Sequence, residues 1–465
     1  MKEILKKNEE YVVDIIDNGY EGEGIAKIED FTIFIPGAIK GEKVRILIVK
    51  VLTSYAYGKI IEIIQKVEAR KQPDCSDYKR CGGCSLRHIK YEETLKIKQD
   101  IVQNLVNKNL KNNIQVEPTI GMKKPYHYRN KAIFPFGYDS TGKMQFGIYA
   151  KRSHEIIPIQ ECLIQTNIAL EITKYIHKFM QENHIPAYNE KTKSGDLRHI
   201  VIKQGFKTGQ IMCILVTKHK KFPKEKQLIQ ELTKQYPEIV TIIKNINSNN
   251  TNIILGKENE ILYGKGYIYD QLGEYTFQIS PLSFYQVNPL QTQGLYNTAI
   301  QLADLNKKQI AFDLYCGIGT ITLFIAKQVE KVYGIEIIPQ AIEDAKQNAK
   351  QNQITNAEFI VGTVEQKLPE LVKQQNKTAD VVFIDPPRKG CDETTIKTLL
   401  QIKPKKIIYI SCNPSTLVRD LAKLQACLLY TSSKIVQIKV AITKRAKGSL
   451  LYFSKEKIIN RAAYP

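Results

Sequence analysis

Four side chains with chemistry to offer stand where apolar stretches of this 465-residue chain stop. Cys412 follows KIIYIS and precedes Asn413-Pro414, Asp385 ends VVFID, Glu336 ends VYGIE, and Asp313 opens DLYCGIGT. The β-branched, alternating runs read as buried strands and Asn-Pro as the turn leaving one. In open α/β sheets the carboxyl ends of strands are where ligands bind. A cysteine there can be a small buried hydrophobe. It can also be a nucleophile, activated by nearby cations or a helix N-terminus, and Arg388, Lys389 and Arg419 are cations close by in sequence. Pro386 and Pro387 fix the backbone after Asp385 and hold it extended, so that its carboxylate points over the sheet edge.

Gly317 and Gly319 form a short loop that lets backbone approach a ligand closely. The loop lacks the third glycine of the dinucleotide fingerprint and the GK[ST] of a phosphate loop. Glu336, one strand later, is placed to accept hydrogen bonds from ribose hydroxyls. A nucleoside without a diphosphate fits both features, and S-adenosylmethionine is the commonest such cofactor. Thiolate addition from Cys412 to C6 of a pyrimidine would then make C5 electron-rich enough to take a methyl cation equivalent.

A second cluster is Cys75, Cys81 and Cys84, spaced C-x5-C-x2-C, with Cys162 remote in QECLI. Three close thiols and a distant one can bind zinc or an iron–sulfur cluster, and spacing alone does not choose. Cys213, Cys316, Cys391 and Cys427 have no evident partners and read as packing or surface thiols.

The elements that must position these residues fall into three regions. Residues 1–66 read as short strands between glycine turns, a small β-barrel. Residues 67–275 are mixed α and β, and Lys123 to Lys131 (KKPYHYRNK) interleaves cations with aromatics as RNA recognition would. Residues 276–465 alternate strand and helix, the pattern of a parallel doubly wound, Rossmann-like sheet. The net charge of +21, from 68 Lys plus Arg against 47 Asp plus Glu, points to a polyanion, RNA first. No signal peptide, lipidation signal or apolar run of membrane length is evident, so the expectation is a cytoplasmic protein without membrane contact, and a monomer. In that compartment nine cysteines serve metal binding or catalysis rather than disulfides.

The pattern GEGIAK followed by FIPGAIKGEKV resembles the TRAM module, an RNA-binding barrel of the OB type. DLYCGIGT, GIE, FIDPPRKG and ISCNPSTLVRDL, with SPLSFYQVNP at 280–289, resemble the RNA 5-methyluridine methyltransferases that act on ribosomal and transfer RNA, over roughly residues 1–425. The resemblance implies Cys412 as covalent nucleophile and Gln286, Tyr315, Glu336 and Asp385 as the lining of the S-adenosylmethionine site. It also implies a [4Fe-4S] cluster on Cys75, Cys81, Cys84 and Cys162, and 23S ribosomal RNA as substrate. The alternatives are a transfer RNA enzyme, or an RNA-binding assembly factor with impaired catalysis.

The last alternative arises because the chain departs from the family near its end. The family's general base is a Glu in a Phe-Pro-x-Thr-x-His-x-Glu type segment. From about residue 426 onward there is no histidine here, and Glu456 is the one acidic residue. KIVQIKVAI and SLLYF are expected to fill the last strands of the sheet.

Overall fold

The computed structural model describes residues 5–110, 114–374, 379–431, 437–443 and 450–454, with side chains described as far as Gln425, Gln374 excepted. In strand Lys43–Val51 the period of two is plain: Val44, Ile46 and Ile48 are buried while Lys43 and Arg45 face water. This strand lies between Glu10–Asp14 and Tyr55–Gln65 in a six-stranded sheet. Edge strand Glu10–Asp14 also touches Gly24–Ile28 near the opposite edge, so the sheet curls into a small barrel around Val13, Ile33, Ile35 and Ala56.

A seven-stranded sheet follows, running from Glu258–Gly264 through Ile239–Ile246, Ile211–Thr217, Leu197–Gln204, Lys131–Tyr138 and Met144–Tyr149 to Ile156–Pro158. Helices Asn167–Glu182 and Glu225–Gln235 cover one face with Ile172, Ile176, Phe179, Leu228 and Leu232. On the other face Val201, Met212, Ile214 and Val216 share one core with the C-terminal region. Covered on both faces, the two inner strands Leu197–Gln204 and Ile211–Thr217 are buried almost throughout. The hairpin Ile268–Leu272/Tyr275–Ile279 lies in that shared core, and the boundary expected at 275/276 falls inside it. Helix Tyr91–Asn109, which lies within the 67–275 region, sends Val102 and Val106 into the C-terminal core beside Phe312, Leu314 and Leu417. Its apolar stripe at i, i+4 is what takes it there.

The C-terminal sheet has the spatial order Ala357–Val361, Lys331–Glu336, Ile310–Leu314, Val381–Ile384, Lys406–Ser411, Gln437–Thr443, Leu450–Ser454. Its first six strands are parallel and the last is antiparallel. Strand order reverses between Ile310–Leu314 and Val381–Ile384, which makes their carboxyl ends the topological switch point. Gln437–Thr443 and Leu450–Ser454 are the two strands expected from KIVQIKVAI and SLLYF. Glu456 and the side chain of Cys427 lie outside the described residues. Among the described residues no helix is long and apolar enough to cross a membrane.

Candidate active site

Cys412 comes directly after strand Lys406–Ser411 and is half-buried, so it is not sealed in the core. Helix Pro414–Thr431 starts two residues later. The side-chain oxygen of Asn413 accepts from the Ser415 N–H at 3.1 Å and its carbonyl from the Leu417 N–H at 3.1 Å, the geometry of an N-cap. Cys412 therefore stands next to the positive end of a helix. The Asn413 amide and the Thr416 hydroxyl both donate to the Arg388 carbonyl, at 3.2 and 3.3 Å, tying the cysteine turn to the loop after Asp385. The phenol of Tyr20, on the N-terminal barrel, makes a long 3.4 Å hydrogen bond to the Cys412 carbonyl.

Arg419 does something other than the field effect its sequence position suggests. Its guanidinium binds the Asp420 carboxylate at 2.6 and 2.8 Å and donates to the carbonyls of Lys389 (2.8 Å) and Cys391 (3.2 Å). Its charge is neutralised there, and its work is to hold the loop. The fully buried Asp420 also accepts from Tyr409 Oη at 2.7 Å and from the Cys391 N–H at 2.8 Å. Asp420→Ala leaves these donors unmet and is expected to cost about 3 kcal/mol in denaturant unfolding. Asp420→Asn should cost less.

At the switch point, Asp385 Oδ2 accepts from Gln286 Nε2 at 3.4 Å, joining residues far apart in sequence. Buried Lys203 donates to the carbonyls of Ser280 (2.8 Å) and Ser283 (3.0 Å), and Asn130 donates to those of Gln286 (2.9 Å) and Val287 (3.0 Å). These bonds fix the loop that carries Gln286 and leaves Phe284 58% exposed. Glu336 Oε2 accepts from the Gly317 N–H at 3.2 Å and Oε1 from the Ile338 N–H at 3.0 Å. Nothing lies within 4 Å of where a Cβ on Gly317 would be, so the glycine loop faces open space. Ile337 and Ile338, next after Glu336, are 61% and 55% exposed. Tyr315 is held at φ +65°, a strained conformation for a residue with a side chain, and its phenol lies 3.1 Å from Thr395 Oγ1.

Asp313 is fully buried, with Oδ2 bonded to the Thr322 hydroxyl at 2.5 Å and no partner for Oδ1 among the described residues. Burial first, then the charges of Asp385 and Glu336, push its pKa from 3.8 to about 7 against the Thr322 bond. Burial pushes Asp385 in the same direction. Asp385 keeps part of its surface open at the rim, which moderates the effect. A native-state pKa above the unfolded value means the folded protein binds the proton more tightly. Stability should therefore fall as pH rises from about 4 to about 7, by at most about 4 kcal/mol from Asp313. Asp313→Asn, which still accepts from Thr322, should flatten that slope in unfolding titrations.

The other cysteine set also converges. Cys75, Cys81, Cys84 and Cys162 line one cavity, otherwise walled mainly by apolar side chains including Ile148, Ile159 and Ile164. Burial, with smaller contributions from the neighbouring thiols, pushes the Cys84 thiol up to about 11. The Gly83 N–H points at Cys81 Sγ at 3.4 Å. Among the described residues no three His, Cys, Asp or Glu side chains close to the grouping that would hold a metal ion. Four thiols on one cavity are a donor set that a zinc ion or an iron–sulfur cluster can take.

Sequence reasoning placed the strand-tip residues but missed Tyr20, Asn130, Lys203 and the exposed pair Ile337–Ile338. An apolar pair directly after a strand-ending carboxylate was a readable signal for the last of these; the others act across the chain.

Residues 90–440 match the family model described as tRNA (Uracil-5-)-methyltransferase, and residues 5–61 match the TRAM domain. The chain belongs to the RNA uracil-5-methyltransferase family. Members similar to it include RNA methyltransferases of Clostridium tetani, 46% identical with 93% of each chain covered, and of Clostridium acetobutylicum, 48% identical over 90% of this chain and 91% of the other. In fold it matches the tRNA (uracil-54, C5)-methyltransferase of Pyrococcus abyssi, solved with S-adenosyl-L-homocysteine. The TM-score is 0.73 at 23% identity, covering 96% of this chain and 99% of that one. As a uracil-5-methyltransferase, the chain has the α/β methyltransferase fold with the TRAM barrel at its N-terminus.

Proposed function

We propose that this protein transfers a methyl group from S-adenosylmethionine to C5 of one uridine in 23S ribosomal RNA, as a cytoplasmic monomer, through a covalent bond from Cys412 to C6. The observation that carries the reading is the placement of Cys412: part-open, at a helix N-terminus, and tied through Arg388 to the loop of Asp385. The thiolate adds to C6 and the electron pair moves to C5. C5 takes the methyl from the sulfonium, releasing S-adenosylhomocysteine. Loss of the C5 proton to a base then expels the thiolate and restores the pyrimidine. Glu336 accepts the ribose hydroxyls, the open space over Gly317 admits the cofactor, and the exposed Ile337 and Ile338 offer apolar surface to the adenine. Gln286, Asp385 and the Tyr315 turn complete that lining.

Cys75, Cys81, Cys84 and Cys162 would hold the [4Fe-4S] cluster, in a structural or RNA-contacting role, because methyl transfer moves no net electrons. Anaerobic purification should give about four irons per chain, lost in Cys84→Ser. Zinc alone at one equivalent would overturn the cluster. The resemblance of the cluster-bearing branch supports the ribosomal substrate, and transfer RNA is the alternative. Mass spectrometry of both RNAs from cells lacking the gene decides: 5-methyluridine should vanish from 23S RNA and persist in transfer RNA.

A second reading is favoured by the chain after Leu424, where Glu456 is the one carboxylate. With the family's base segment absent, adduct formation outruns resolution, and the protein binds RNA and cofactor but turns over slowly. Rapid multiple-turnover methylation by residues 1–425 alone would contradict this.

A further inference from the structure

The interleaved segment Lys123 to Lys131 does not lie flat on the surface; it walls a cleft. Tyr126 and Tyr128 line it together with Arg87, Lys71, and Tyr91 and Lys98 of helix Tyr91–Asn109, around a hollow of about 90 Å³ that opens to the surface. The cleft carries three cations and three tyrosines, and among the described residues no carboxylate lines it. Tyr126 is 42% exposed, and its ring is braced from one side by the Arg87 guanidinium, 5.0 Å from the ring centroid. Asp74 fixes both members of that pair, accepting from Arg87 at 2.6 and 2.8 Å and from Tyr126 Oη at 2.9 Å, so the Arg87 charge is neutralised there, while Lys71 stands at a looser 3.7 Å from the same carboxylate. Deeper in, Lys98 is 1% exposed with its ammonium 5.8 Å from the centroid of the Tyr91 ring. Cys84 lines this cleft and the four-thiol cavity alike, so the cysteine loop is a shared wall.

We infer that this cleft is a second nucleotide pocket, which takes one unpaired nucleotide of the RNA substrate with its base on Tyr126 and its phosphate toward Lys71. A pre-braced aromatic plane with cations at its edge suits a nucleobase and its phosphate. The chain's +21 charge favours a polyanion over a free small molecule as the source of that nucleotide. The cleft belongs to a different part of the fold from the Cys412 rim, so the RNA would be gripped at two points while one uridine is presented for reaction. The inference rests on the RNA reading above. It also gives the cysteine cluster a concrete role, which is to hold the Cys84–Arg87 segment in the shape of a pocket wall.

The test uses the full, cluster-loaded chain and a single-stranded RNA oligonucleotide containing 2-aminopurine and one 5-fluorouridine, at fixed salt. Tyr126→Ala should weaken RNA binding about tenfold and remove the 2-aminopurine quenching. Tyr126→Phe, which keeps the ring and loses the Asp74 bond, should stay within about twofold of the parent. Lys71→Ala should lower the slope of log K against log salt by about one. Adduct formation at Cys412 under saturating RNA, and iron content, should be unchanged in all three. Equal affinity of parent and Tyr126→Ala, with the adduct still formed, overturns the pocket and leaves the RNA reading intact. An equal loss in Tyr126→Ala and Tyr126→Phe also overturns it, since the ring would then not be the platform. Tighter binding of adenosine monophosphate than of the RNA assigns the cleft to a free nucleotide and overturns the RNA source. Failure of the parent itself to bind RNA sinks both readings.

Discussion

Cys412→Ala lowers single-turnover RNA methylation by about 10⁴-fold or more, while the affinity for S-adenosylmethionine stays within about twofold. The size follows from removing the one atom that raises electron density at C5, since an uncharged pyrimidine C5 is a poor acceptor of a methyl cation equivalent. The cofactor affinity holds because the groups proposed to bind it, Glu336, Asp385 and Gln286, are fixed by other parts of the chain. Glu336 is anchored by the N–H groups of Gly317 and Ile338, and Gln286 by the bonds from Asn130 and Lys203 to its loop. Rapid-quench methylation and equilibrium dialysis measure the two quantities. Joint loss of both would mean that the turn of Cys412 is part of the cofactor site.

Glu336→Ala produces the opposite pattern. The carboxylate makes two backbone hydrogen bonds and, in the proposed cofactor site, would accept from ribose hydroxyls, where bonds to a charged group contribute about 1.5–3 kcal/mol each. S-adenosylmethionine affinity should fall by about 10²-fold, and methylation at saturating cofactor should recover to within about tenfold of the parent. Glu336→Gln should fall between, because its amide can accept with one end only. An unchanged Kd in isothermal titration would move the ribose elsewhere.

The strand tips were legible in the sequence because buried parallel strands announce themselves as short apolar runs, and whatever polar residue follows such a run stands at the sheet's carboxyl edge. Glu336, Asp385 and Cys412 follow that rule, whereas Asp313 lies inside strand Ile310–Leu314 and is fully buried rather than on the rim; the last two strands, after residue 436, follow from β-branched content. What stayed hidden acts through space. Tyr20 meets the Cys412 carbonyl from a barrel 392 positions away, and Lys203 pins a loop that begins 77 positions further on. Arg419 misled for a different reason: a cation near a thiol in sequence invites an electrostatic role, but its nearest partner is its own neighbour, Asp420. The neighbours of helix Tyr91–Asn109 were not legible either, because an apolar stripe shows that a face is buried without showing against what.

The four thiols sat at metal-ligand spacing in the sequence, and the fold adds that the remote Cys162 reaches the same cavity as the other three. The distance of Cys162 from that cluster in sequence is closed by strands Met144–Tyr149 and Ile156–Pro158, which turn the chain back beside the Cys81 loop.

One measurement bears most directly on the covalent account: incubation of the full chain with S-adenosylmethionine and RNA carrying 5-fluorouridine, followed by denaturing electrophoresis and peptide mass spectrometry. Fluorine cannot leave C5 as a proton does, so the account predicts a stable protein–RNA adduct attached through the peptide containing Cys412, absent from Cys412→Ala. An adduct that survives in Cys412→Ala, or methylated product released with no adduct in the parent, would contradict it.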